Sequence, residues 1–518
     1  MPSWRNGAYR IRPAFASLYS RARWASGPVR SAGSSATGTS SECDREICGT
    51  GGGTRIARVK TSPDKPDNPV PPEPVRKRRV LVLSVAVVVL FLKLWVAATT
   101  FGTNDVLLFE RFAAGVRKVG PINIYGLHRA RLYNHPPLIG WMLLVMNHLV
   151  RLGFSFPFLI RVPASVADVV TTLLIFEMLR ARRSLGKATA AALLVACSPV
   201  LFIISGFHGN TDPVFVMFTL LSAYLLIHRP WPALTWLAPA LAGVAFALAL
   251  SVKLVPIVVL PTLLLLAARL GRRQLASFAV GSGVVMLPLW GPVLLRQWQP
   301  FHQDVLLYAG NSRRQWGLSE FAHLAHEPTS AITFLTGPGR FLALLFSALL
   351  PALLLYWRRD AALPAIGLSL ALFLLLSPAF GTQYMAWPLA AAYLIDLGAA
   401  TLYNLSAGAL LAEVYNRWNG GLPWDVARSR PLLPKEVAAL AVVWALLLLV
   451  VIVGLRRITK PAGAERLPML EQSAKRAPHL PPRKVDRIRF SSAAPPRSAG
   501  SALSYPRSRK YHGASQVS

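Results

Sequence analysis

The chain has 518 residues, of which 53% are hydrophobic and only 15% charged, against about 25% charged in an ordinary soluble domain. Its net charge of +34 comes without any DNA- or RNA-binding motif, so no nucleic-acid partner is expected. The three cysteines, Cys43, Cys48 and Cys197, exclude a disulfide framework, and the first two by themselves are a weak metal signal.

Residues 1–79 are rich in Gly, Ser, Pro and Arg. They lack helical or strand periodicity and read as a disordered, basic, cytoplasmic tail. The first acidic residue is Glu42. An Arg- and Ser-rich, acid-poor start has the character of a transit peptide, and a start placed too far upstream gives the same composition. From Val80 to Leu455 apolar runs recur at about the 20 residues that a helix needs to cross hydrocarbon. Residues 80–456 are therefore expected to form an all-α, polytopic transmembrane bundle of about 12 spans.

The first span is expected at 80–100. RKRR at 76–79 precedes it and sets the N-terminus in the cytoplasm. Residues 101–156 then lie outside. Within them, 136–153 is short, holds Asn147 and His148 and ends with Arg151 before a short turn. It reads as a helix lying at the outer interface. If it crossed, RARRSLGK at 180–187 would land outside, against the orientation rule for basic loops. Further spans are expected at 157–179, 188–206, 213–228, 232–251, 254–270, 275–295, 338–357, 361–378, 384–397, 399–415 and 437–455. GRR (271–273), WRRD (357–360) and LRRITK (455–460) then all fall inside. Residues 457–518 read as a second disordered, basic, cytoplasmic tail that touches anionic headgroups.

This topology gathers six polar features on the outer face: TND (103–105), YNHPP (133–137), HGNTDP (208–213), Lys253, YAGNSRRQWG (308–317) within the loop 296–337, and FGTQYMAW (380–387). Each also has a plain reading. Asp212-Pro213 suits a helix start, His208 a hydrogen-bonded loop residue, and His135-Pro136-Pro137 a rigid helix entry. Asn104-Asp105 suits a turn or cap, and Gln383-Tyr384 interfacial anchoring. Charges within the apolar runs are costlier, at about 2.5–3.5 kcal/mol each at a helix centre. Lys93, Lys253 and Arg161 can snorkel. Asp168 is too short for that and should face the bundle with a partner. Arg161 and Lys253 suit a lipid phosphate.

The whole pattern resembles the GT-C glycosyltransferases, multi-spanning enzymes that use polyprenyl-phosphate sugars. It is closest to bacterial mannosyl- and arabinosyltransferase-like members and, more distantly, to protein O-mannosyltransferases. An acidic residue, Asp105, follows the first span. His135-Pro136-Pro137-Leu138 opens a helix along the membrane, and RVPASVADV (161–169) opens the next span, followed by a basic turn. HGNTDP and KLVP (253–256) look similar too, and the likeness runs from about 80 to 400. Two features depart from the family. Asn104, not a second carboxylate, neighbours Asp105, which leaves a two-carboxylate or metal scheme unsupported. No large soluble outer domain is present, so loops must recognise the acceptor.

The resemblance implies an inverting hexosyltransferase that moves a sugar, a hexose such as mannose, from a polyprenyl-phosphate donor to an acceptor hydroxyl on the outer face. Asp105 would be the general base, worth roughly 10²–10⁴-fold. Asn104, His135, His208, Asn210, Asp212, Gln383 and Tyr384 would bind substrate. Arg161, Lys253 and Arg313 or Arg314 would hold the donor phosphate. Asp105 is expected across a polar cavity from His208 and Asp212, with Gln383 and Tyr384 on the rim and Asp212 mainly capping its helix. No cofactor or metal is expected. Partners would be the lipid donor, a lipid, glycan or protein acceptor, and membrane lipids, in a bacterial plasma membrane. The rival class is a secondary transporter or lipid flippase, which shares the layout of 12 spans with both ends inside but sets its site near the midplane.

Overall fold

The structure is a computed structural model that describes residues 72–127, 133–231, 233–308, 317–379 and 381–459. Its helices are α1 (Pro72–Thr99), α2 (Asn104–Asn123), α3 (Pro137–Arg151), α4 (Phe156–Arg180), α5 (Leu185–Ala196) and α6 (Pro199–Leu201), the last running into a π-helix (Phe202–His208). There follow α7 (Asp212–His228), α8 (Leu237–Val252), α9 (Leu260–Leu270), α10 (Arg272–Arg296), α11 (Trp298–Phe301), α12 (Leu318–Leu324) and α13 (Thr329–Thr336). The chain closes with α14 (Pro338–Trp357), α15 (Ala362–Leu375), α16 (Ala386–Ile395), α17 (Leu397–Asn419) and α18 (Pro434–Thr459). Two short strands, β1 (Gly102–Thr103) and β2 (Val426–Ala427), pair in parallel.

Seven helical segments among the described residues are long and apolar enough to cross a membrane: Glu73–Thr99, Phe156–Arg180, Leu185–His208, Arg272–Arg296, Pro338–Trp357, Leu397–Asn419 and Pro434–Thr459. At about 1.5 Å per residue, even the shortest of them reaches about 30 Å, the thickness of the hydrocarbon core. The chain is thus a multi-pass membrane protein of all-α architecture. Every expected span falls on a helix, but α7, α8, α9, α15 and α16 have only 17, 16, 11, 14 and 10 residues. Helix length and composition by themselves mark seven of the twelve expected spans.

Two further expectations change. Helix α1 starts at Pro72, inside the stretch read as disordered, because Glu73 opens its first turn and pairs with Lys77 one turn on at 2.7 Å. The first expected outer loop holds a 20-residue helix, α2, which the sequence reading left without structure. Helix α3 packs on α2 and buries Ile139, Leu143 and Met146. Asn147 is explained by the same contact: its side chain donates to the Ala113 carbonyl at 2.8 Å. The rest of the expected tails, 1–71 and 460–518, lies outside the described residues.

Hydrogen bonds sort the connections to two ends of the bundle. At one end Arg79 meets Glu177 at 2.7 Å, which also holds Arg180. Arg182 donates to the Asp360 carbonyl and Arg269 to that of Leu355, at 2.9 and 2.6 Å. Arg358 donates to the Thr459 carbonyl, and Arg457 pairs with Asp396. At the other end β1 meets β2, Thr103 meets His208, and Asn123 meets Gln297. Ser319 there donates to the Pro378 carbonyl and Arg340 to that of Leu307. The basic turns thus share one end and the polar motifs the other.

Between the ends, Lys93 on α1 does not snorkel. It is 1% exposed and its Nζ lies 2.6 Å from Asp168 Oδ2 on α4. Ser205 of the π-helix donates to the same oxygen at 2.5 Å. Lys93→Ala should leave Asp168 buried and unpaired, at a cost of about 3–5 kcal/mol. Lys93→Met combined with Asp168→Leu should recover most of that loss. Thermal unfolding in detergent checks both, and a single variant as stable as the parent refutes the pairing's role.

Candidate active site

The polar end is tied together by Arg161 of α4, which is fully buried. Helix α1 ends with carbonyls that have no partner further along the helix. Arg161 Nη2 donates to those of Ala97, Thr100 and Phe101 at 2.9, 2.5 and 3.3 Å. Its Nη1 donates to the Thr100 hydroxyl at 2.8 Å and to the Gly206 and Phe207 carbonyls at 3.3 and 3.4 Å. Its Nε donates to the Pro157 carbonyl at 2.7 Å. The expected phosphate contact is thereby corrected: this guanidinium spends its donors on backbone, joining the end of α1 to the π-helix.

Two glycines permit that junction. Gly102 has φ +103°, and a Cβ there would sit 2.7 Å from the Phe207 carbonyl oxygen. Gly209 has φ +84°, and a Cβ there would sit 2.4 Å from Val106 Cγ2. Glycine alone adopts such backbone without strain. Between them Thr103 donates to the His208 carbonyl at 2.8 Å and accepts from the Asp105 amide at 3.2 Å, capping α2.

The result is a direct contact in place of the expected facing across a cavity. Asp105 Oδ2 lies 2.9 Å from His208 Nε2, and His208 Nδ1 lies 2.5 Å from the Tyr415 hydroxyl on α17. The His208 side chain is 5% exposed, whereas a third of the Asp105 side chain reaches the surface. Burial pushes the Asp105 carboxyl up, but the neighbouring His208 and Lys253 outweigh it and hold the group below its ordinary range.

Asp212 does not cap its helix. Thr211 holds the cap position without a side-chain hydrogen bond, and the Asp212 amide turns to Asn210 Oδ1 at 3.2 Å. Its carboxylate, 0% exposed, binds Lys253 Nζ at 2.5 Å and Trp387 Nε1 at 2.7 Å. Lys253 sits at an extended break after α8. Its ammonium lies 4.5 Å from the Tyr384 ring centre and 4.7 Å from that of Trp387. Tyr384 and Trp387 stack at 4.0 Å.

His135 stacks on Phe109 at 4.9 Å. Burial, reinforced by the charge of Lys253 and opposed by Asp105, lowers its imidazole to about 3, so it is neutral at ordinary pH. Asn104 is exposed on the first turn of α2. Gln383 is partly exposed beside Tyr384. Arg313 and Arg314 lie outside the described residues. The structure thus gathers Asp105, His208, His135, Lys253 and Tyr384 and turns Asp212, Asn210 and Arg161 to structural bonds. The sequence reading missed Tyr415, Thr103 and Trp387. Thr103 was legible as a cap before α2, but Tyr415 sits in an ordinary helical run with nothing to mark it. Among the described residues no group of three His, Cys, Asp or Glu side chains is placed to hold a metal ion.

Residues 134–295 match the family model described as dolichyl-phosphate-mannose-protein mannosyltransferase. The chain resembles the GT-C glycosyltransferase superfamily. The match supports a membrane glycosyltransferase of the GT-C type. The crystal structure of the Archaeoglobus fulgidus oligosaccharyltransferase in the apo form aligns at 13% identity with a TM-score of 0.33, covering 77% of this chain and 59% of that one. The chain therefore spans less than two thirds of that protein's length. No curated protein matches the chain. The matched segment includes His135, Arg161, His208, Asp212 and Lys253, whereas Asp105, Tyr384 and Tyr415 lie outside it and rest on geometry.

Arg161→Lys should destabilise this GT-C-like chain, because one ammonium cannot serve two backbone segments. At about 1.5–3 kcal/mol per hydrogen bond to a charged group, losing two costs about 3 kcal/mol or more. A melting temperature equal to the parent's contradicts this. His135 gives a second test. Its value falls from 6.5 in the unfolded chain to about 3 in the folded one, so the unfolded state binds the extra proton between them. Its contribution to stability is therefore full above the unfolded value and drains away as pH falls toward the folded one. Melting curves at about pH 7 and pH 5 should show a smaller acid loss for His135→Phe than for the parent.

Proposed function

We propose that the chain moves a sugar, a hexose such as mannose, from a polyprenyl-phosphate donor to an acceptor hydroxyl, with inversion at the anomeric carbon. The observation that carries this reading is Asp105: an ionised carboxylate held by His208, a third exposed, and close enough to Lys253 to feel its charge. Asp105 takes the proton of the acceptor hydroxyl as its oxygen attacks the anomeric carbon. The bond from that carbon to the phosphate oxygen breaks, and the electron pair leaves with the lipid phosphate. Lys253 then faces growing negative charge, and a fixed cation there lowers the barrier. Tyr384, Gln383, His135 and Asn104 would line the sugar and acceptor path. These steps use only the chain's own side chains.

In this reading the polar end lies at the outer face of a bacterial plasma membrane and the basic end in the cytoplasm, which follows the rule for basic loops. Helix α3, about 22 Å long, would lie at the outer interface. The lipid tail would keep the donor in the bilayer while phosphate and sugar reach the helix ends. A lipid, glycan or protein would supply the acceptor hydroxyl.

Purified protein in lipid discs, given labelled polyprenyl-phosphate hexoses and acceptors, tests the reading. Asp105→Asn should lower transfer by roughly 10²–10⁴-fold and leave the melting temperature near the parent's. Asp212→Asn should do the reverse, losing stability while the folded fraction still transfers. If Asp212→Asn loses transfer and Asp105→Asn keeps it, the two carboxylates have exchanged roles. Translocation of the lipid-linked sugar without transfer would favour the transporter class instead.

A further inference from the structure

We infer that Tyr415 is a positioning residue that locks the His208 ring in one tautomer, with hydrogen on Nε2 and the lone pair on Nδ1. The inference deepens the base role proposed for Asp105 and rests on it for its catalytic consequence. A neutral imidazole carries one donor nitrogen and one acceptor nitrogen. An ionised carboxylate only accepts, so the nitrogen 2.9 Å from Asp105 Oδ2 must be the donor. Nδ1 is then a lone pair in a buried place, and it needs a donor. The Tyr415 hydroxyl, 2.5 Å away, is that donor.

The surroundings hold this order in place. Tyr415 is 0% exposed and is enclosed by the rings of Phe207, Trp418 and Trp424. Water is thus kept from replacing its hydroxyl. The His208 ring lies tilted against it with centroids 5.6 Å apart. The backbone of His208 is held independently by Thr103, so the hydroxyl sets the ring rather than the chain.

The consequence falls on Asp105. Its Oδ2 is occupied by His208, while Oδ1 makes no hydrogen bond among the described residues. Oδ1 is the oxygen left to receive a proton. The titratable groups that act on this carboxylate are His208, Lys253 and His135. Its own charge is felt by Tyr308, Tyr384 and Tyr415. Of all these, His208 alone makes a hydrogen bond to it. In the transfer step the acceptor's proton goes to Oδ1, the new carbon–oxygen bond forms, the bond to phosphate breaks, and His208 stays neutral throughout.

The test has two arms. In the transfer assay Tyr415→Phe should lower kcat about tenfold with the acceptor KM close to the parent's. His208→Gln keeps an N–H for Asp105 and has no second tautomer, so adding Tyr415→Phe to it should lower kcat no further. The second arm needs no transfer. Nitrogen-15 spectroscopy of the His208 ring in the full-length parent should show a bare Nδ1 and a protonated Nε2, and Tyr415→Phe should show mixed tautomers. A ring spectrum unchanged in Tyr415→Phe overturns the positioning role, as does a protonated Nδ1 in the parent, which decides the matter even if the variant does not fold. The expected tautomer in a parent that transfers no sugar upholds the lock and removes Asp105 as base, so the two failures are distinct.

Discussion

One guanidinium holds the polar end together. The carbonyls at the end of α1 and those of the π-helix point at the same buried volume, and without a cation between them they would repel and stay unsatisfied. Arg161 supplies both the charge and the fan of donors that this arrangement needs, a task that lysine's single ammonium cannot perform. What hangs from that junction is the site. The segment leaving α1 passes through Gly102 and Thr103 into Asp105, and the π-helix ends at His208. Fixing the two backbones fixes the distance between carboxylate and imidazole.

The buried carboxylates follow one rule, and Asp105 departs from it. Lys93 closes on Asp168, Asp212 on Lys253 and Trp387, and Glu436 on Arg417. Each pair is internally compensated, as burial in apolar surroundings requires. Asp105 is held by an imidazole rather than by a lysine or arginine and keeps part of its surface open. A carboxylate kept ionised but left without a full counter-charge is what a proton-abstracting group requires. Lys253 is partly spoken for by Asp212, which tempers its attraction for an anion.

Much of the layout was legible because it is written in local terms. Apolar runs located the helices, the basic turns marked one shared end, and TND, HGNTDP and FGTQYMAW marked the other. Asp168 was expected to have a partner, and the structure names it as Lys93. What escaped the reading depends on long-range backbone geometry. Arg161 looked like an anion ligand because its true partners are carbonyl groups, which every residue carries and no sequence displays. Asp212 looked like a cap because Asp before Pro usually is one, yet tertiary pairing with Lys253 and Trp387 overrode the local preference. Tyr415 lies about two hundred positions from His208, in a helix whose periodicity says only that one face is buried. Helix α2 was hidden by its charged face, with Glu110, Arg111, Arg117 and Lys118 diluting its apolar pattern.

Irregular backbone and polar chemistry occur together here for a physical reason. In apolar surroundings a broken helix exposes peptide groups that must be satisfied by neighbouring protein. The π-helix at 202–208, the extended Lys253 and the short turn at Thr382–Met385 are such breaks. Each brings a side chain to the same end of the bundle: His208, Lys253 and Tyr384. The freed carbonyls of the π-helix are met by Arg161, and the charge at Lys253 by Asp212. The residues read as structural are therefore what make the reactive ones tolerable. Arg161, Thr103 and Asp212 satisfy the groups that the breaks leave open, and that satisfaction lets a partly exposed carboxylate stand beside a cation at the ends of the helices.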